Sequence, residues 1–374
     1  MLMVKIRKMN RGFVLVTTAL CIIGLLGALG LAVDLGRVFI TKSELQVYVD
    51  SAALAATMEL DGTSDGIARA RAQAAANTNT WNLATTQVSG AQISFGKTPT
   101  GPWDANPIDP QGYLYANVTA QAPLPLYFWP AVATSSPQTS AFAGGPVPIA
   151  LIAFSNTMNV SGASAAGQQL TTNFGEGLFP FSPFAQNNTA PTYGLTPGGM
   201  YTLRWAANPK LNQNVCPGDN SQAMIDLANA GGGSERGYYQ LTSANAIRAD
   251  IEFDQQDFTV TVGQSINMTG GAKQTELDAL KVRIAQDTDS TSATYEDYIA
   301  LGQGNGRRIV GVPLNNGYPT YTVVQIAAFF LPPASSYNSG GNSPWCAEYL
   351  GAWVEGAKNK GAADIGAYLV RLVK

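Results

Sequence analysis

Histidine is absent from the 374 residues of the chain. Its absence removes Ser-His-Asp and Cys-His nucleophile activation, imidazole proton shuttling and the zinc sites that depend on histidine. Charge is sparse, at 13% of residues with a formal net charge of −3. No cluster of Lys and Arg occurs outside the N-terminus, so the basic footprint of a nucleic-acid binder is missing and nucleic acid is not an expected partner. Cysteine is rare, with three in the chain. Cys21 sits inside an apolar run and reads as a small apolar filler. Cys216 in "NVCPGDN" and Cys346 in "SPWCAEY" form a candidate disulfide if the chain reaches an oxidising compartment. Two cysteines 130 positions apart are not a metal motif, and no metal or cofactor site is expected. Hydrophobic residues at 45%, with 39 Gly and 21 Pro, suffice for one large or two smaller cores joined by many turns.

What is present first is a long apolar run. Gly12 to Val33 holds 22 residues without a charge. At about 1.5 Å per residue that is roughly 33 Å of helix, against a hydrocarbon core of about 30 Å. A cleaved signal has a shorter core, about 7 to 15 residues, and a small-residue cleavage site. Ala28-Leu29-Gly30 imitates one poorly and the apolar run passes through it, so the run reads as a retained transmembrane helix. Lys5, Arg7, Lys8 and Arg11 precede it and Asp34 follows. The positive-inside rule then keeps the N-terminus in the cytoplasm and exports about 340 residues.

Beyond the span the pattern turns amphipathic. Leu31, Leu35, Val38, Leu45, Val49, Ala52 and Ala56 recur at helical spacing, while Asp34, Arg37, Thr41, Glu44 and Tyr48 cluster on another side. Span and amphipathic helix read as one rod from Gly12 to about Leu60, broken by "ELDGTSDG". Asp65 is placed to cap a second helix over 66–76. "TQVSGAQISFG" and "GYLYANVTAQA" read as strands, followed by the proline-broken "PLPLYFWPAVA" and a further strand in "FAGGPVPIALIAF". "SQAMIDLANAGGG" and "AKQTELDALKVRIAQD" read as helices, and "SANAIRADIEF" as a helix running toward a strand. "FTVTVGQSINM" reads as a strand pair around a turn, and "YTVVQIAAFFL" and "GAYLVRLV" as strands. The fold class is α+β, a long N-terminal helix followed by a β-rich, mostly antiparallel region with short helices. The expected divisions are a basic tail to residue 11, the span 12–33, two helices over 34–80, a small β-rich unit over 81–145 and an α+β domain over 146–374.

Three stretches imitate ligand sites. "RADIEFDQQD" would put Asp250, Glu252 and Asp254 on one face if it were a strand, with Asp257 nearby; calcium could use them, and a solvated strand face is the plainer reading. "DTDSTSATYEDY" opens like a calcium loop at Asp287 and Asp289, but Ser292 replaces the turn glycine and Tyr298 stands at position twelve. "LGQGNGRRIV" has the glycines of a phosphate loop without a following Gly-Lys-Ser/Thr, and a helix stop at Gly302 explains it. No catalytic residue is assigned, and the chain is expected not to be an enzyme.

The N-terminal residues carry a resemblance. Arg11-Gly12, the run ending in Gly30 to Asp34, Leu45-Gln46, Asp50 and Ala52 to Ala55 resemble the N-terminal segment of TadG-like proteins of tight-adherence (Flp-type) pilus systems. The resemblance implies a single-pass protein of the bacterial inner membrane with its C-terminal part in the periplasm or at the cell surface. Other pilus and secretion-apparatus proteins would be its partners; a homo-oligomer is left open, and no cofactor is implied. Asp34, Arg37, Gln46 and Asp50 then read as contact points between laterally packed rods, or else as a solvated helix face. Gly24, Gly27, Gly30 and "AALAA" offer a close-approach surface. Two features depart from the family. Thr17 stands where pilin-like subunits usually carry Glu, and "IALIAFSNTM" has Ala153 where a von Willebrand A-type metal site needs Asp. A tethered adhesin or carbohydrate-binding module is the alternative function, and a secreted hydrolase working with carboxylates alone is the remotest.

Overall fold

The computed structural model describes residues 11–76, 80–81, 85–88, 90–128, 157–207, 209–210, 213–219, 222–230, 234–239, 241–270 and 275–373. It opens with α1 (Arg11–Met58) and α2 (Ser64–Ala76), then β1 (Thr80–Trp81), β2 (Thr86–Gln87), β3 (Gln92–Gly96), β4 (Tyr115–Pro125), β5 (Thr157–Thr171), β6 (Asn173–Phe174) and β7 (Met200–Arg204). There follow α3 (Gln222–Asn229), β8 (Glu235–Tyr239), α4 (Ala244–Phe253), β9 (Val260–Thr261), β10 (Met268–Gly270), α5 (Thr275–Ala285) and α6 (Tyr295–Leu301). The chain closes with β11 (Ile309–Asn315), β12 (Val323–Phe330), β13 (Trp345–Gly351), β14 (Trp353–Val354) and β15 (Ala367–Val373). The fold is α+β. The expected boundary near Gly145 and the strand in "FAGGPVPIALIAF" lie outside the described residues.

Two compact units interleave along the sequence. The described parts of Met1–Val49, Thr78–Gln92 and Thr119–Ala163 form one, and those of Asp50–Asn77, Ile93–Val118 and Ser164–Lys374 the other. The first unit holds most of α1, the β1-β2 pair and the distal parts of β4 and β5.

The second unit is built on a four-stranded sheet in the order β11-β12-β13-β7, antiparallel throughout. β12 is apolar except for Gln325 because both of its faces are covered. Ala327 and Phe329 join a cluster with Ile247 and Ile251 of α4 and Leu277, Leu280 and Ile284 of α5. Ile326, Ala328 and Phe330 join the opposite cluster with Trp205, Phe184 and Trp353. A second sheet runs β14-β15-β5-β4-β3, with β15 antiparallel to β5 and β14 parallel to β15. The last carbonyls of α1 find a donor in Gln168 of β5. Its Nε2 donates to the Thr57 and Leu60 oxygens at 3.1 and 2.7 Å, while its Oε1 accepts from the Ala362 amide at 3.0 Å. The sulfurs of Cys216 and Cys346 lie 1.99 Å apart, tying the loop after β7 to β13.

Several local expectations are corrected. The cap of α2 is Thr63, whose Oγ1 accepts from the Gly66 amide at 3.0 Å; Asp65 lies inside the first turn. β9 and β10 do not pair with each other: β9 pairs with β6 and β10 with β8. The acidic string is no strand. Ser243 caps α4, which runs through Phe253 and ends on Asp254 in left-handed conformation, so Glu252 is turned away from Asp250, while Asp254 lies one turn on from it. The Asp254 carboxylate holds Arg283 and Arg307, each at 2.6 Å, and Asp257 accepts from the Thr242 amide and hydroxyl. In the calcium-like loop, Asp287 takes the Tyr298 hydroxyl at 2.9 Å and the Arg308 amide at 3.1 Å, and Asp289 takes the amides of Thr291 and Ser292. Gly302 ends α6, and the chain turns into β11.

Asp250 is fully buried in α4 and neither carboxylate oxygen has a hydrogen-bond donor. Burial, and then the nearby Asp254, push its pKa up to about 8, against the pull of Arg283. A carboxyl whose folded pKa is raised holds its proton in the native state after the unfolded chain has lost it. Stability therefore falls as pH rises from the ordinary carboxylate range near 4 toward 8, at up to about 1.4 kcal/mol per pH unit. Asp250→Asn should remove this slope. Denaturant unfolding at pH 5, 7 and 9 should show the variant gaining on the wild type with rising pH; a constant difference would contradict the assignment.

Candidate functional site: a clasp at the end of the apolar span

α1 contains no proline, and from Gly12 to Val33 no charge that would favour leaving an apolar medium. It is long and apolar enough to cross a membrane. Its large apolar side chains, among them Leu15, Leu20, Ile23 and Leu26, are exposed, unlike those of a core helix. The hydroxyls of Thr17 and Thr18 donate to the Val14 carbonyl at 3.0 and 2.8 Å, which satisfies them within the helix. Among the described residues nothing comes within 4 Å of where a Cβ on Gly24 or Gly27 would stand.

The polar end of the span is built differently. Asp34 is buried, and its two oxygens accept from successive backbone amides, Tyr127 N at 2.9 Å and Phe128 N at 2.7 Å. Those amides belong to an elbow that follows β4, whose alternating Val118, Ala120, Ala122 and Leu124 are buried. β4 ends at Pro125, which has no N–H to give. Its carbonyl instead accepts from Arg37 Nη1 at 2.6 Å, and the Arg37 guanidinium lies 4.3 Å over the Tyr127 ring. One turn back along the helix, Gly30 makes room for Phe128: a Cβ there would meet that ring at about 2.5 Å. Farther along, Lys42 donates to the Ser161 carbonyl and Gln46 Nε2 to that of Ala163 at 3.2 Å. Between them Leu45 is seated against Gly162, where a Cβ would stand 3.0 Å from its Cγ. Five helix positions in all, Gly30, Asp34, Arg37, Lys42 and Gln46, fasten the chain's own strands to the rod.

The sequence-predicted residues thus separate. Asp34 and Gln46 come together along one side of the clasp, bound within their own chain, while Asp50 lies half-buried beyond it in the second unit. Ala52, Ala53 and Ala56 of "AALAA" are buried. Of the von Willebrand-like stretch, Thr157 and Met158 open β5 and are exposed; Ala153 and Ser155 lie outside the described residues. Arg37 was grouped with the polar side of the rod, but Lys42, Tyr127, Phe128 and Gly162 were missed. The available signal was "PLPLYFWP", an apolar aromatic string broken by prolines, with amides left over for a carboxylate. Beside the clasp a groove of about 630 Å³ is lined by Lys42, Gln46, Gln92, Gln121 and Ser161. Among the described residues its lining includes no aromatic or acidic side chain. Among the described residues no group of three or more Cys, Asp or Glu is placed to hold a metal ion.

Residues 12–59 match the Tad family model, described as "Putative Flp pilus-assembly TadE/G-like". No curated protein and no solved structure matches the chain. The matched segment is α1 almost from end to end, and it contains all five helix positions of the clasp. A Tad-type segment on a helix able to cross a membrane supports a pilus-assembly component.

Replacing Asp34 tests the clasp. Asp34→Ala leaves two part-buried amides without that acceptor, which should weaken the elbow by about 2 kcal/mol, and Asp34→Asn, keeping one acceptor, by less. Hydrogen exchange of the Tyr127 and Phe128 amides should accelerate about 30-fold in Asp34→Ala, while amides of β12 keep their protection. Unchanged exchange at both amides would remove the clasp.

Proposed function

We propose that the chain is a single-pass inner-membrane component of a Flp-type tight-adherence pilus system, with a cytoplasmic N-terminus and everything beyond Asp34 exported. It acts as a structural part, uses no cofactor, and meets other pilus and secretion-apparatus proteins along the rod and through its exported units. The observation that carries this reading is the coincidence of the matched segment 12–59 with a continuous helix over Arg11–Met58. The polar residues of that helix fasten its own exported strands, which makes the rod a mount. A second side stays open beyond the span, where Leu35, Phe39, Ile40 and Val47 are exposed, Phe39 at 69%. Apolar side chains exposed in water at helical spacing are suited to a neighbouring helix. Asp50, at the end of that stretch, is the polar residue offered to the same neighbour.

Two measurements check this. Protease added to the periplasmic side of spheroplasts should digest the chain beyond Asp34 and leave a fragment in the inner membrane; full-length chain in the soluble cytoplasm would refute the topology. Phe39→Asp combined with Val47→Asp should lower co-purification of the other pilus components and piliation at least about tenfold, on the scale of an interface hot spot, with circular dichroism unchanged. Wild-type recovery of those partners would mean that the rod only spaces the exported units from the membrane.

We further propose that Cys216 and Cys346 are oxidised in the exported protein, as their placement 5.7 Å apart at Cα suits. Alkylation and mass analysis should then find Cys21 as the sole free thiol. Cys346→Ala should cost up to about 5 kcal/mol, for closing a loop of 130 residues in the unfolded chain. Reactive thiols at both positions in folded protein would overturn the pairing.

A further inference from the structure

The clasp fixes the depth of its own elbow. If α1 crosses the bilayer as proposed above, a reading on which this inference rests, its apolar run of roughly 33 Å overfills a core of about 30 Å by about one residue at each end. The hydrocarbon boundary then falls near Val33. Phe128 sits on Gly30, about 4.5 Å to the lipid side of Val33, and Arg37 lies about 6 Å beyond it, at the level of the phosphates. Asp34, at the boundary, holds the amides of Tyr127 and Phe128, so the elbow cannot slide along the helix.

At that depth the elbow turns two aromatic side chains outward. Tyr127 is 66% exposed and Phe128 45%, while the neighbouring Leu126 is buried. Aromatic rings with one wet and one apolar side are the residues that settle at a bilayer interface. The Arg37 guanidinium above the Tyr127 ring adds a cation where anionic phosphates lie. Two other features fit the same surface. The apolar face is continuous with the span through Leu29 and Val33, both exposed, and Asp34, the one acidic group in the clasp, is turned away from it and buried.

We propose that the elbow Leu126–Phe128 is an interfacial membrane anchor. Tyr127 and Phe128 enter the boundary between headgroups and acyl chains in the leaflet where α1 emerges, and Arg37 meets lipid phosphate. The rod is thereby held at two points on the membrane, the span and the elbow, which sets the angle at which the strands of the first unit leave the bilayer. The partner is the lipid surface itself.

The test uses the full chain in vesicles of phosphatidylethanolamine and phosphatidylglycerol. In a Cys21→Ala background, nitroxide labels are placed by Tyr127→Cys, by Leu26→Cys inside the span, and by Ile108→Cys, a position 98% exposed. Each label is compared for access to dissolved oxygen and to a water-soluble nickel complex. The oxygen-to-nickel ratio at 127 should approach that at 26 and exceed that at 108 on the order of tenfold, as for a group at the acyl boundary. A ratio at 127 equal to that at 108, with 26 immersed, would overturn the anchor and leave the spanning helix intact. Water access at 26 as well would overturn both, and a label at 127 shielded from both reagents would mean that protein covers the elbow, also against the proposal. Chain unaltered at 127 is probed in parallel with a lipid carrying a diazirine near its carbonyl. Adducts should map to Tyr127 and Phe128 and not to Ile108; adducts confined to α1 would contradict the anchor.

Discussion

A carboxylate on the side of a helix that is leaving a bilayer has to be paired, because neither lipid nor the helix backbone can solvate it. Asp34 is paired with two successive amides of an elbow 93 and 94 residues away in sequence. Both amides are free to give, since Pro125 has already ended the β4 ladder. One side chain therefore settles how the first unit is mounted. It fixes which end of β4 lies against the helix, which residues of the elbow turn outward, and where Arg37 reaches a carbonyl.

The rest of the rod repeats the pattern with weaker groups. Lys42 and Gln46 donate to carbonyls of β5, and Leu45 fills the space that Gly162 leaves. At the far end Gln168 receives the last carbonyls of the helix, so its C-terminus ends against protein instead of water. Hydrogen bonds to backbone are insensitive to which side chains the strands carry. The family match ends at residue 59, beside the end of the helix.

Much of this was legible in sequence and some could not be. The rod was expected from Gly12 to about Leu60 and is observed over Arg11–Met58, because an apolar run without proline and an abrupt "ELDG" stop are local signals. The same holds for β12 and β15, and for α5, whose apolar residues recur at helical spacing. Period two in Asp250, Glu252 and Asp254 misled, since three acids alternate by chance inside a helix whose capping serine and left-handed end decide its extent. β9 and β10 alternate as strands do, but alternation says nothing about which distant strand completes the ladder. Asp34 reads in sequence as a contact between packed rods or as part of a solvated face, and its tie to the chain's own elbow rests on a contact across more than ninety residues that sequence does not display. Tyr127 and Phe128 contribute their amides to it, and no side-chain pattern announces a backbone donor.

The central claim is that Asp34 binds its own chain. Solid-state NMR of the full chain in bilayers measures this directly, as dipolar transfer between the Asp34 carboxylate carbon and the Tyr127 amide nitrogen. Samples of labelled chain are compared undiluted and diluted with unlabelled chain. The structure predicts a cross-peak whose intensity per labelled molecule is the same in both, because donor and acceptor are in one molecule at 2.9 Å. A cross-peak that fades on dilution would place Asp34 against a neighbouring rod, and no cross-peak in either sample would mean that the clasp does not form.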